Sequence, residues 1–384
     1  MLFLIKALFN PLLSLVFVVL ATAYFVTFTT LLIKSNGHSD QVVGAMHSAY
    51  YGGMFIAAFF CEFFVKRIGY NNTFILSTLA TAMTVLAMGG LDSSLLWISM
   101  RFIAGICMGL IYIVIESWLL SFSTAVTRGQ ILAIYTVALY FSQAIGQYFI
   151  DFIPSNSSLP FILCSVLTAV GVLPLLFENK PIHMEESTAD NSSISQWRSM
   201  FLICPLGVFG SICSGIILSG VYSFTPQFAV EYEISPSILL SVTIFGGVLL
   251  QWPIGWISDR FPRDKVLIGT SMLILLPTLS IFFFPAYWNV LINSFVMGGL
   301  AFTLYPQSIA YMATAMPHVS FSSIAALLLM TYGIGSTIGP MMAAEFTSRL
   351  GSIALFVFFA IWGTGLTLCG FLKKSSPLLS EEIL

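Results

Sequence analysis

Charge is the first thing this chain lacks. Asp, Glu, Lys and Arg make up 8% of its 384 residues, against about 25% in ordinary soluble domains. A soluble fold of this size could not cover its surface with so few charges, whereas a surface facing hydrocarbon needs none. No basic stripe of the kind that grips nucleic acid is present, and the net charge of −2 selects no partner. Cysteine is sparse and unpaired in sequence. Cys61, Cys107, Cys164, Cys204, Cys213 and Cys369 lie in or beside apolar runs without a C-x-x-C pair, so they read as reduced packing residues. Also missing are H-E-x-x-H, G-x-x-x-x-G-K and G-x-S-x-G, together with any ATPase domain. Nothing therefore points to an enzyme, a cofactor or a bound metal, and work done across a membrane would draw on a gradient or on the cargo itself.

What is abundant is apolar surface: 58% of residues are hydrophobic and the mean hydropathy is +0.96. A spanning helix needs about 20 apolar residues. Twelve such segments are expected, near 8–33, 43–65, 73–91, 95–121, 129–151, 160–178, 201–228, 237–258, 266–285, 288–313, 321–345 and 350–371. The apolar run from Leu12 to Ile33 exceeds the about 7–15 residues of a signal-peptide core, so the first segment is expected to remain as a span. The longest polar break runs from Asn179 to Met200 and holds Lys180, Glu185, Glu186, Asp190 and Arg198. It divides the chain into six segments (1–178), a linker (179–200) and six more (201–384). The fold class expected is an all-α membrane protein.

Basic residues orient it. With the N-terminus inside, Lys6, Lys66, Arg67, Arg128, Lys180, Arg198, Arg260, Arg263, Lys265, Lys373 and Lys374 are cytoplasmic, eleven of the 14 Lys and Arg. Lys34, Arg101 and Arg349 remain. That bias predicts both termini in the cytoplasm.

The halves look duplicated. Gly255-Trp-Ile-Ser-Asp259-Arg260-Phe-Pro262-Arg263 lies between segments 8 and 9, and Glu62-Phe-Phe-Val-Lys66-Arg67 between segments 2 and 3. The offset of 193 residues from Glu62 to Gly255 also carries Gly105 onto Gly298 and Gly146 onto Gly339. A shared offset near half the chain length is the mark of parallel repeats.

These residues carry a resemblance to the major facilitator superfamily over essentially the whole chain. Gly255, Asp259, Arg260 and Arg263 resemble its cytoplasmic G-x-x-x-D-R-x-G-R signature, with Pro262 at the second glycine; the first-half copy is degenerate, with Glu62 and Lys66 at the glycine and aspartate places. Arg101-x-x-x-Gly105 resembles the fourth-helix motif. Gly335-x-x-x-Gly339-Pro340 resembles the antiporter motif, but in segment 11 rather than segment 5, where Gly146-Gln147 stands instead. Gln251-Trp-Pro-Ile-Gly255, Glu116-Ser-Trp-Leu119, Phe302-Thr-Leu-Tyr-Pro306 and Arg128-Gly-x-x-x-Ala133-x-Tyr135 are similar to the bacterial YcaD-like branch. The resemblance implies twelve helices in two pseudo-symmetric six-helix bundles in a bacterial inner membrane. It also implies alternating access, a small-molecule cargo and a gating role for Gly255, Asp259, Arg260, Arg263, Lys66 and Arg67.

Charges inside spans need a reason, since each costs about 2.5–3.5 kcal/mol at a helix centre. Arg101 and Glu116 lie in segment 4, 15 residues or about 22 Å apart and within about 60° of one face, with Gly105, Gly109 and Tyr112 between them. That stripe is expected to line a water-filled cavity, with Arg101 touching an anionic cargo and Glu116 carrying protons; a structural tie is the alternative for each. His47 is a weaker candidate for charge switching. Gln143, Gln147, Tyr222, Gln251, Asn293, Gln307 and Tyr332 are expected to line the same cavity, because amides in hydrocarbon need partners. Asp151 and Glu345 are expected to face periplasmic water. The function expected is proton-coupled transport by a monomer in the lipid bilayer. The alternative is an uncoupled facilitator or a drug or metabolite efflux pump, ahead of a transport-dead receptor or a membrane enzyme on the same fold.

Overall fold

The computed structural model describes residues 2–90, 93–121, 128–153, 158–176 and 200–373. Apart from Met200, the expected linker lies outside them, with Lys180 and Arg198; so does Lys374. The described residues form helices and no strand. In order they are α1 (Leu2–Ser35), α2 (Asp40–Met88), α3 (Ser94–Ser121), α4 (Arg128–Gln147), α5 (Phe149–Phe152), α6 (Leu159–Val170) and α7 (Leu173–Leu176). The second half holds α8 (Pro205–Glu231), α9 (Pro236–Arg260), α10 (Arg263–Leu273), α11 (Leu275–Phe283), α12 (Tyr287–Ala315), α13 (Phe321–Leu350) and α14 (Ala354–Lys373).

Ten described helical stretches are long and apolar enough to cross a membrane. The twelve expected spans are reached as follows. The 49-residue α2 is twice the necessary length and breaks at Gly69, whose φ of 82° suits a residue without Cβ; it therefore holds segments 2 and 3. The 20-residue α4, followed directly by the short α5, is segment 5. Elsewhere the observed ends fall within a few residues of the expected ones. The larger shifts are at α1, which begins at Leu2 and not near residue 8, and at α13, which runs on to Leu350 before Gly351 (φ 83°) stops it. Prolines open α8 and α9 at their first turn, where the missing N–H costs nothing.

The duplication is physical. In lipid, helices associate through close packing of small residues, because the tails are as apolar as the side chains. A Cβ on Gly105 would strike the Tyr50 carbonyl, and one on Gly298 would strike the Thr243 carbonyl. Likewise Gly53 abuts the Phe102 carbonyl and Gly246 that of Phe295. All four partners are related by the same 193-residue offset, so α2 packs on α3 as α9 packs on α12.

An even number of crossings brings the chain's described ends to one side, which also carries Lys66, Arg67, Arg260 and Arg263. This side is called the basic end and the other the far end. One buried core, including Leu15, Met108 and Trp118, lies within the first half. A larger one joins Tyr24, Met46 and Phe161 of the first half to Phe224, Phe228 and Phe356 of the second. The first-half residues that join this core, such as Phe28, Ile33, Val43 and Trp97, lie toward the far end.

Candidate functional site: the cleft between the halves

The described contacts between the halves run from mid-height to the far end. Toward the far end, Gln41 Nε2 donates to Ser348 Oγ at 3.0 Å, and a Cβ on Gly44 would meet Ala344 and the Pro340 carbonyl. Asp151, in α5, accepts from Ser235 Oγ at 3.2 Å and Ser237 Oγ at 2.5 Å at the start of α9. Ser241 Oγ donates to the Ala144 carbonyl at 2.8 Å. At mid-height Phe55 packs over Gly333, and Tyr140 meets Phe302 edge-on at 5.1 Å. Toward the basic end the described ion pairs each stay within one half: Lys66 with Glu62, and Arg263 with Asp259 at 3.4 Å. Among the described residues the halves are joined at the far end, and no ion pair or side-chain hydrogen bond joins them at the basic end.

A group of tyrosines gathers where the halves meet. Tyr222 of α8 donates to Gln143 Oε1 of α4 at 2.7 Å, across the two halves. Tyr305 of α12 and Tyr332 of α13 have ring centroids 5.2 Å apart. Tyr222 also meets the Phe302 ring at 6.3 Å. Tyr51, Tyr112, Tyr140, Tyr222, Tyr305 and Tyr332 are all partly exposed, as wall residues of a cleft must be. Sequence reasoning named Gln143, Tyr112, Tyr222 and Tyr332 for the cavity but gave no such place to Tyr140 or Phe302. The recurrence of Tyr140, Gln143 and Gln147 at helical spacing was the available signal.

Glu116 projects into this cleft. Its side chain is exposed, yet it lies close enough for its charge to act on Tyr135 of α4 and Tyr305 of α12. No described hydrogen bond or ion pair holds its carboxylate.

Arg101 does not share that space, contrary to the expectation of one polar stripe. It is 2% exposed, its guanidinium 4.3 Å from the Tyr50 ring centroid and 5.7 Å from that of Phe25. The reason lies in the glycines beside it. Gly105 and Gly109 mark the face of α3 that beds against Tyr50, Met54 and Ala57 of α2, so an arginine on that face is carried into the helix packing. A desolvated cation–π contact contributes about 2 kcal/mol, which offsets much of the cost of the buried charge. Among the described residues, Arg101 Nε and Nη2 have no hydrogen-bond partner, nor has Nδ1 of the fully buried His47. His47 Nε2 meets Thr30 Oγ1 at 2.7 Å, and Thr30 Oγ1 reaches the Ser223 carbonyl of α8 at 3.4 Å.

Three further amides depart from the expected cavity for a common reason: each is satisfied inside its own half. Gln147 accepts from Thr27 of α1 at 2.6 Å. Asn293 donates to Asn289 Oδ1 at 2.8 Å and Ser280 Oγ at 3.3 Å. Gln307 is bonded to Thr270 and Thr303. Gln251 is partly exposed on α9.

In the signature loop the described contacts stay within one half. Asp259 pairs with Arg263 one turn on, and Arg263 Nη1 donates to the Ala310 carbonyl of its own half at 2.8 Å. Arg260 stacks on Trp256 at 3.5 Å and Arg67 on Phe63 at 5.8 Å. Gly255 has open space around it. Glu345 pairs with Arg349 on its own helix. A separate pocket of about 340 Å³ near Asn36, His38 and Trp97 lies at the far end of the first half, away from the cleft. No cluster of His, Cys, Asp and Glu able to hold a metal occurs among the described residues.

Two equivalent helical halves around a cleft open at one end define a membrane transporter architecture. The chain matches the family described as the Major Facilitator Superfamily over residues 12–250 and 233–382, and it belongs to that family. It is 30% identical, over 352 residues and 90% of both chains, to the "Uncharacterized MFS-type transporter YcaD" of Salmonella dublin. The identity is also 30% over 354 residues, again 90% of each chain, to the protein so described from Escherichia coli O45:K1. Its fold is similar to that of the nucleoside transporter NupG (TM-score 0.74, 14% identity, 96% of this chain and 98% of that one). It is similar also to a D-xylose-proton symporter (TM-score 0.75, 14% identity, 97% of both).

Proposed function

We propose that the protein is a secondary active transporter of a small molecule, working by alternating access and coupled to protons. The observation that carries this reading is the distribution of contacts between the halves, dense from mid-height to the far end and, among the described residues, without an ion pair or side-chain hydrogen bond at the basic end. Two equivalent bundles that meet at only one end can rock to meet at the other, and a site between them is then served from each side in turn. The basic end belongs in the cytoplasm by the Lys and Arg bias, with both termini inside, residues 179–200 as the linker between the bundles, and the whole in a bacterial inner membrane as a monomer.

Within this reading Glu116 carries the proton, being the carboxylate that the open cleft exposes. Arg101 and His47 hold α1, α2 and α3 together, so the anionic cargo expected from Arg101 is not carried forward. Asp259, Arg260 and Arg263, with Lys66 and Arg67, act at the basic end when it closes, which is the opposite state to the one described. The test is uptake into proteoliposomes from a metabolite library, with and without an imposed pH gradient. The reading expects at least one solute to accumulate only with protein and gradient together. Protein-dependent equilibration without accumulation would make it an uncoupled facilitator; no transport of any solute would make it a receptor on a transporter fold.

A further inference from the structure

We infer that the cleft takes an organic cation bearing apolar or aromatic rings, with Glu116 as its counter-ion. This rests on the transporter reading and names its cargo class. The argument begins with the two ionisable side chains at the heart of α3. Arg101 is 2% exposed and covered by the Tyr50 and Phe25 rings. Glu116 is exposed, and no described ion pair or hydrogen bond neutralises it. Past the exposed Arg67 and Arg260 at the basic end, a molecule entering the cleft meets the Glu116 carboxylate, while the Arg101 guanidinium is buried between α2 and α3. An anion there would face a carboxylate that no described basic side chain neutralises, and like charges set against each other disfavour binding.

The walls favour the same class. The ring pair of Tyr305 and Tyr332, 5.2 Å apart and tilted, stands with Tyr140 on Phe302 and with Tyr112. Aromatic faces carry negative potential and attract cations, and their bodies give apolar contact to a ring-bearing molecule. Tyr112 stands one turn before Glu116 on α3, and aromatic faces beside a carboxylate are suited to holding a quaternary ammonium group. Glu116 lies within electrostatic reach of Tyr305 in the other half. A cation held between them would touch both bundles and so sense their relative movement.

The experiment is equilibrium binding to the purified full-length protein, which needs no transport and so fails independently of the transporter reading. The probe is tritiated tetraphenylphosphonium; tetraphenylborate, of the same shape and opposite charge, is measured in a separate binding experiment, because the two ions precipitate together. The inference expects saturable binding of the cation, no saturable binding of the anion when it is tested alone, a tenfold or greater loss of affinity in Glu116→Gln, and partial retention in Glu116→Asp. Tyr305→Leu should weaken binding several-fold, while thermal unfolding of each variant shows that it remains folded. Saturable binding of tetraphenylborate, unchanged affinity in a folded Glu116→Gln, or no saturable binding of tetraphenylphosphonium would each overturn it.

Discussion

Asp151 is expected to act as a latch on the far end. Its carboxylate takes two serine hydroxyls, from Ser235 and Ser237, across the two halves. Those serines stand at the N-terminus of α9, where a negative charge is also favoured by the helix dipole at about 0.3–1 kcal/mol. A hydrogen bond to a charged group contributes about 1.5–3 kcal/mol, but the Asp151 side chain is exposed and water competes for it. A discounted total of about 1–2 kcal/mol follows for the closed far end. Removing it with Asp151→Ala should shift the ratio of closed to open far ends by about 5- to 30-fold. Asp151→Asn keeps an accepting oxygen and should shift it less. The assay is a distance distribution between spin labels at Ser35 and Glu231, exposed positions at the ends of α1 and α8. A new longer population should grow in the order wild type, Asn, Ala. Identical distributions in wild type and Asp151→Ala would refute the latch.

Other consequences are as direct. Gly105→Ala and Gly298→Ala, each driving a methyl into a backbone carbonyl of the neighbouring helix, should each cost about 1–3 kcal/mol and lower the Tm comparably. Gly269→Ala, in α10 with nothing within 4 Å of the added carbon, should raise stability by about 0.4–1 kcal/mol; a lower Tm would count against the packing described. Arg101→Ala should lower the Tm by removing the contact that α3 makes with Tyr50 and Phe25, and Arg101→Lys should restore it only in part, because the planar guanidinium lies over a ring. An Arg101→Ala protein of normal Tm would return Arg101 to cargo binding. Glu116→Gln should abolish accumulation driven by a pH gradient, and uptake at wild-type levels would remove Glu116 from the coupling role.

The scaffold was legible because its signals are long or repeated. Twenty-residue apolar runs, polar breaks and a constant offset between glycines depend on little beyond helix geometry, and the Gly105–Tyr50 and Gly298–Thr243 contacts turn that offset into packing. The site was legible only in part. Sequence periodicity assigns Arg101, Gly105, Gly109 and Glu116 to neighbouring faces of one helix, but it does not say whether a face meets water or another helix. Glycine decides this: a stripe without side chains is where α2 approaches most closely, so Arg101 is drawn into the contact. Glu116, about 22 Å further along, passes beyond it into the cleft. Buried amides pose the same ambiguity. Gln143 and Gln147 are one turn apart on α4, yet Gln143 bonds Tyr222 in the other half and Gln147 bonds Thr27 in its own. The partner of Asp151 was equally hidden, because Ser235 and Ser237 come from the other end of a long-range contact that no local pattern encodes.

The central claim is that the two halves rock, so that one end opens as the other closes. It is tested by measuring two distances in one protein reconstituted in lipid: Ser35 to Glu231 at the far end, and Phe64 to Phe321 at the basic end, all four exposed. With the native cysteines replaced and spin labels at each pair in turn, the account predicts two populations at both ends. Asp151→Ala should move them in opposite directions, the far-end distance lengthening as the basic-end distance shortens. A single fixed distance at the basic end, or both distances lengthening together, would contradict alternating access.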